Sequence, residues 1–545
     1  MLLALLLVRR ADHEADAAGD ERAKAGSGEH LERNRIVRSG EGDTQRGYGG
    51  EGALGDPWRE VASFGGRHDI EGRFGPKRFP GVFSGDAPTP YVSSPAMPTA
   101  DLVITSSRVV TEDGVAPAAL AITDGTITAL EAPGRAPDAR HRLDVGNSVV
   151  MAGVVDTHVH VNEPGRTEWE GFQTATRAAA AGGVTTIVDM PLNSVPVTTT
   201  ARGLRAKADA AGGTALVDFG FWGGAIPGNL RDLQPLAEAG VLGFKAFLVP
   251  SGIDEFPAVS VADLEQVMDR LAALDTVLLA HAELPGPIAR AARNGGDPRR
   301  YATWLAARPP EAELEAIHLL LRLAGKTGCA VHVVHLSAAR GLEPLAAARA
   351  AGTAVTVETC PHYLCFAAED IPDGATAFKC APPIRERDNR EQLWSGLRSG
   401  DLDFVASDHS PAPPVLKCLD SGDFVAAWGG VASLELALAA VWTGGRARGA
   451  TLVEVARWLA AAPARRAGLE GRKGRLAPGL DADLAIWDPE ATFTVDPTRL
   501  HQRHPVTPYA GMTLWGVVRE TFVRGVRVYE NGRFPSPPVG RWLRR

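Results

Sequence analysis

The sequence predicts an α/β protein, a (β/α)8 TIM-like barrel with a small β-sandwich domain built from both of its flanks. Three observations carry this expectation. Eight apolar strand candidates fill the middle of the chain, most of them separated by helical stretches; short alternating runs bounded by Gly, Asp or Asn lie on either side; and the first 96 residues show neither pattern. Repeated strand-helix alternation implies parallel strands with right-handed crossovers, and about eight such units close a barrel.

Residues 1–96 are rich in Gly, Arg, Asp and Glu, as in ADHEADAAGDERAKAGSGEH and RGYGGEGALGD. Such a segment cannot bury enough apolar surface to offset its ordering entropy. It is expected to be disordered, or else an artefactual N-terminal extension with Met97 as the true start. The opening MLLALLLVRR resembles a signal peptide, but its charges follow the apolar run and no small-residue cleavage site closes it, so a cytoplasmic protein is expected. The glycines between Gly49 and Gly55 follow no strand and open no helix, which excludes a phosphate loop there.

Residues 97–150 form the expected first part of the small β domain, in the runs DLVITSSRVVTEDG, LAITDGTITAL and HRLDVGNSVVM. Residues 476–545 supply its second part and a tail, with ADLAIWDP and GVVRETFVRGVRVYENGR. Between them, residues 151–475 are assigned to the barrel. Its strand candidates are VVMAGVVDTHVHV, VTTIVDMP, LVDFGFWGGA, GFKAFL, TVLLAHAE, AVHVVHLS, VTVETCPHYL and LDFVASDH. Helical stretches such as EWEGFQTATRAAAAG, ADLEQVMDRLAAL and EAELEAIHLLLRLAG alternate with them. An open doubly wound sheet is the alternative topology.

Composition narrows the function classes. With 45% apolar and 22% charged residues the chain can bury a large core, and a net charge of -8 gives no global basic surface for nucleic acid. No apolar run approaches the roughly 20 residues of a membrane helix. The five cysteines are odd in number and form no CxxC pair, as expected for reduced thiols.

Chemistry in such a barrel sits at the C-terminal ends of the strands. There the first strand carries His158 and His160, whose i, i+2 spacing puts both on one side. The fourth carries Lys245, an ionisable group in an apolar run, and the fifth His281. The sixth offers His332 and His335, whose odd separation lets only one face the interior, and the eighth ends in Asp408. Each has a plain alternative as a core histidine, a snorkelling lysine or a strand-end cap. Together they form a nitrogen and carboxylate set that suits Zn2+ or a similar ion.

The segments VDTHVHVNEPG, GFKAFLVPSGIDEFP, LAHAE, VHVVHLS, ETCPHYL, FKCAPPIRE and SDHSP resemble the cyclic amidohydrolases. AWGGVASLELAL and HPVTPYAGMTLWGVVRETFVRG are similar to the allantoinase branch, over about residues 100–532. The resemblance implies two divalent metal ions, zinc by preference. His158 and His160 would bind the more buried ion with Asp408, and His281 and His335 the second, leaving His332 structural. A carbamylated Lys245 would bridge them. It further implies hydrolysis of (S)-allantoin to allantoate by a metal-bridging hydroxide, with Asp408 as general base and proton donor to the leaving nitrogen. A homo-oligomer, often a tetramer in such proteins, is implied too.

Asn162 stands where dihydroorotase-like relatives carry a carboxylate-binding arginine. A neutral amide cannot form that bidentate charge pair, which favours an uncharged ring. Asn193 and the backbone near Thr359 and Cys360 are candidate substrate contacts, with strand-end capping as the alternative. His409 is expected to be structural. A dihydropyrimidinase or hydantoinase shares the whole metal set and remains a rival reading, as does a dihydroorotase. A non-catalytic relative acting as an interaction protein would be expected to have lost ligands that are all present here.

Overall fold

The computed structural model describes residues 99–545, so the expectation for residues 1–96 lies outside the described residues. The flanks build one eight-stranded sheet. Strands β1 (Ala100–Thr111), β2 (Gly114–Thr123), β3 (Thr126–Glu131), β4 (Ala139–Asp144) and β5 (Val149–Ala152) come from the N-terminal side. From the other end of the chain come β15 (Leu484–Thr494), β16 (Thr513–Val523) and β17 (Val526–Glu530). The order is β17-β16-β15-β5-β1-β2-β3, with β4 beside β1. Antiparallel pairing of β5 with β15, Val150 opposite Ile486, joins the two flanks. Ile104, Leu120, Ile122, Val150, Leu484, Ile486 and Phe522 pack into one cluster, because alternate residues of each strand face the same side.

The middle of the chain gives nine parallel segments: β6 (Val154–Val159), β7 (Val184–Asp189), β8 (Asp218–Phe221), β9 (Gly223–Gly224), β10 (Phe244–Phe247), β11 (Val277–His281), β12 (Ala330–Val333), β13 (Val355–Thr359) and β14 (Phe404–Val405). Strands β6 to β8 form one ladder and β9 to β14 another. Nearly all of their residues are buried, which is why they read as continuous apolar runs rather than alternating ones. Helices such as Val261–Ala273 and Pro310–Thr327 connect them. The first is started by a capping box between Ser260 and Asp263, and the second is stopped by Gly328 in the left-handed conformation.

Two expected strands are divided. The first splits at Gly153, with β5 in the flanking sheet and β6 in the parallel one. A side chain at Gly153 would put its Cβ 2.2 Å from both Cγ2 and Oγ1 of Thr185, so the chain passes between the sheets only where no side chain exists. The third splits at Trp222, whose indole donates to the Thr157 carbonyl at 2.8 Å. Backbone bonds from Leu242 to Phe221 and from Gly223 to Gly243 span that break. At the other junction, Val159 bridges His409, and the His160 N–H donates to the His409 carbonyl at 2.8 Å. No helix among the described residues is long and apolar enough to cross a membrane.

The tight passage at Gly153 gives a direct test. Gly153→Ala is expected to lower stability by about 1–3 kcal/mol in chemical denaturation. Adding Thr185→Ala should recover part of the loss; fully additive losses would mean that this contact is not the cause.

Candidate metal centre

His158 lies on β6 and His160 just beyond it, and both rings point to one place. Their Nε2 atoms are 3.3 and 3.4 Å from Oδ1 of Asp408, which follows β14. These three residues offer ligand atoms within 4.8 Å of one another, and all three are buried. His335, two residues past β12, has its ring centroid 5.4 Å from that of His158 and 4.6 Å from that of His281. His281 ends β11 and stacks on Phe247 at 4.7 Å. Lys245 on β10 is fully buried, and its Nζ has no hydrogen-bond partner. The structure groups His158, His160 and Asp408, sets His335 beside His158 and His281 beside His335, and buries Lys245 near enough to Asp408, His281 and His335 for their charges to act on one another.

Carboxylates behind the histidines orient them. Glu358 on β13 accepts from Nδ1 of His158 at 2.5 Å and from Nε2 of His332 at 3.1 Å, and also receives the His335 backbone N–H. His332 further meets the Thr356 hydroxyl at 2.9 Å and stacks on Phe404, so its ring is fully occupied away from the site. Glu283 takes Nε2 of His281 at 2.8 Å and is itself held by Arg308. With the proton of His158 on Nδ1, its Nε2 presents a lone pair toward Asp408. Two acceptors facing each other at 3.3 Å repel unless a cation lies between them.

The electrostatics follow from burial. Desolvation pushes the His160, His281 and His335 imidazoles below their ordinary value, His335 furthest, so the rings are neutral as metal ligation requires. Burial also pushes the Lys245 ammonium down to about 7, although Glu358 and Asp408 oppose the shift. Burial alone would raise Asp408, but His158, His160 and His335 outweigh it and hold the carboxylate well below its usual range. Glu358, desolvated in the same way, is drawn down to about 2 by the two histidines it binds.

Backbone strain collects at the same place. Asn162, Asn193, His335 and Asp408 all have φ between 40 and 69°. Such non-glycine conformations cost about 1–3 kcal/mol each and persist where the surroundings dictate them. Asn193 brings its amide to 3.4 Å from Nδ1 of His160, and its Oδ1 is unpartnered. Asn162 is buried with a free Oδ1 and a long contact to the Pro411 carbonyl. The Thr359 hydroxyl donates to the Leu336 carbonyl, so that side chain serves the fold. Cys360 is buried beside Asp408. His409 accepts the Ser433 and Leu434 N–H groups at Nδ1 and faces Glu170.

Residues 149–528 match the model of the amidohydrolase family. The chain belongs to the amidohydrolase family. A Streptomyces avermitilis allantoinase is 51% identical over 450 residues, covering 82% of this chain and 100% of the relative. An Arabidopsis thaliana allantoinase is 43% identical, with 80% and 90% covered. Among solved structures, an L-hydantoinase (dihydropyrimidinase) from Arthrobacter aurescens superposes with a TM-score of 0.78 at 32% identity, covering 82% of this chain and 100% of that one.

Amidohydrolases generally bind divalent metals, and the donor set here fits one: neutral imidazoles, an ionised carboxylate and two orphaned buried nitrogens, Lys245 Nζ and His335 Nδ1. Reading strand ends alone had missed Glu358, Glu283 and Arg308. Glu358 had the signal that singled out Lys245, an ionisable residue inside an apolar strand. Glu358→Gln is expected to weaken divalent-metal affinity about 10–100-fold in calorimetric titration while the fold is kept. Unchanged affinity would leave the carboxylate with no orienting role.

Proposed function

We propose that this chain hydrolyses the ring amide of (S)-allantoin to allantoate at a centre of two divalent ions. The observation that carries the substrate reading is the 51% identity that spans the whole of an allantoinase relative. His158 and His160 with Asp408 would hold one ion, and His281 and His335 the other. Lys245, as a carbamate formed by addition of its amine to CO2 with loss of a proton, would bridge them. Its complete burial without a partner supports that role. Zinc is the metal that these donors suit best.

When bound, such ions supply an activated water at neutral pH and positive charge opposite the developing oxyanion. The chain's own residues do the rest. Asp408, ionised and beside both histidines, takes the proton of the attacking water and returns it to the leaving ring nitrogen. Glu358 and Glu283 hold His158 and His281 in the tautomers that ligation needs. Asn162 offers a neutral amide, which fits an uncharged hydantoin ring better than a carboxylated one. Asn193 and the backbone at Thr359 and Cys360 are assigned to the ring.

The setting belongs to the same reading. The ladders β6 to β8 and β9 to β14 close into a barrel over residues 151–475, supported by the Val159–His409 bridge and the bonds across Trp222. Residues 97–150 and 476–545 form the β-sandwich domain. The protein acts in the cytoplasm as a homo-oligomer, a tetramer, which light scattering tests. Residues 1–96 lie outside the enzyme, and a chain begun at Met97 should turn over allantoin at the full rate.

The L-hydantoinase likeness makes a hydantoinase or dihydropyrimidinase the second reading. Purified protein offered allantoin, hydantoin, dihydrouracil and dihydroorotate separates the two, and faster turnover of dihydrouracil than of allantoin overturns the first. Lys245→Ala should lose most bound metal and nearly all activity, with partial rescue by a short carboxylic acid; unchanged metal content would exclude the bridge. Asp408→Asn should cut turnover about 10²–10⁴-fold with the fold intact.

A further inference from the structure

The turn after β13 carries two side chains, Cys360 and His362, that the proposed hydrolysis leaves unused, and both approach Asp408. Cys360 Sγ, a ring nitrogen of His362 and a carboxylate oxygen of Asp408 lie within 4.8 Å of one another, all in buried residues. Three donors at about 2.0–2.3 Å from one ion sit at most about 4.6 Å apart, so small side-chain adjustments would complete a site. The short helix Pro361–Cys365 begins at this point and brings His362 back beside Cys360.

His362 supplies the independent sign. Its ring is fully buried, and neither nitrogen has a hydrogen-bond partner. Leaving a buried polar group unpaired is destabilising, and here one ring has two such atoms. The neighbouring Tyr363 offers no relief, because its hydroxyl is committed to the Pro382 carbonyl at 2.7 Å. Of the other buried histidines outside the expected ligand set, His332 has both ring nitrogens engaged and His409 has Nδ1 engaged. His362 has none.

We propose that Cys360, His362 and Asp408 form an accessory site for a thiophilic divalent ion, which inhibits the enzyme by drawing the Asp408 carboxylate away from proton transfer. The site rests on the three donors; the inhibition rests on the hydrolytic reading above. The thiolate and imidazole select softer ions than oxygen donors would. Binding forms a sulfur-metal bond at Cys360 and releases the thiol proton to solvent, with no change of oxidation state. Asp408 is the shared element, since it also faces His158 and His160.

Metal-loaded full-length protein titrated with Cd2+ tests this through the ultraviolet thiolate-to-cadmium charge-transfer band, read with metal content and turnover. The expected ligands of the main centre include no sulfur, so exchange of Cd2+ into it produces no such band. Wild-type protein should take up about one further equivalent per chain, show the band and lose turnover about 100-fold or more. Cys360→Ser should abolish the band, His362→Gln should weaken uptake about tenfold or more, and Cys418→Ser should retain both. A band missing from wild type, or surviving in Cys360→Ser, overturns the site. A band that forms with turnover unchanged overturns the inhibition. If the band forms but allantoin is not hydrolysed before Cd2+ is added, the allantoin reading fails and the cation site stands.

Discussion

The buried carboxylate of Glu358 ties three strands together: it takes Nδ1 of His158 on β6, Nε2 of His332 on β12 and the backbone N–H of His335 beyond it. An isolated carboxylate at this depth would cost several kcal/mol in desolvation. Three donors offset that cost, and they do so only when the strands are in register. Register and the orientation of His158 are therefore fixed by the same contact. Its two partners in sequence terms, His158 and Glu358, stand 200 residues apart.

Behind the other pair of histidines the same logic recurs with an added layer. Glu283 holds His281 and is clamped by Arg308, while Glu313 receives the Ser337 and Ala338 N–H groups just after His335 and is clamped by Arg385. Arg308 and His281 outweigh burial at Glu283 and hold that carboxylate well below its usual range, whereas at Glu313 burial prevails and raises it although Arg385 opposes the shift. The positive φ value of His335 becomes intelligible on these terms. The turn bends sharply enough to aim the side chain inward, and buried polar pairs resist its relaxation.

How much of this was legible in the sequence depends on the range of the interactions involved. The apolar runs located every parallel strand, because burial on both faces leaves a continuous signal. The i, i+2 rule put His158 and His160 together, and both do reach Asp408. The divisions at Gly153 and Trp222 were not legible, since each depends on a neighbour distant in sequence: the Thr185 side chain in one case and the Thr157 carbonyl in the other. The parity rule for His332 and His335 also has less force than expected. β12 ends at Val333, so His335 is placed by a left-handed turn rather than by strand alternation.

Lys245 is best understood beside the other buried lysines among the described residues. Lys207 pairs with Asp189 at 2.6 Å and donates to the Met190 carbonyl, and Lys473 lies among Asp218, Asp481 and Asp483. Lys379 donates to the Val425 and Ala427 carbonyls and lies 4.3 Å from the Trp304 ring centroid; Lys417 donates to the Trp428 and Gly430 carbonyls. In these four the fold provides for an ammonium, by carboxylate or by carbonyl. Lys245 receives neither, and its Nζ faces Phe247 from 5.1 Å. Four buried ammonium groups are thus held by hydrogen bonds or ion pairs, while the fifth has only the more distant charges of Glu358 and Asp408. A buried nitrogen free of hydrogen bonds is what the bridging carbamate proposed above requires.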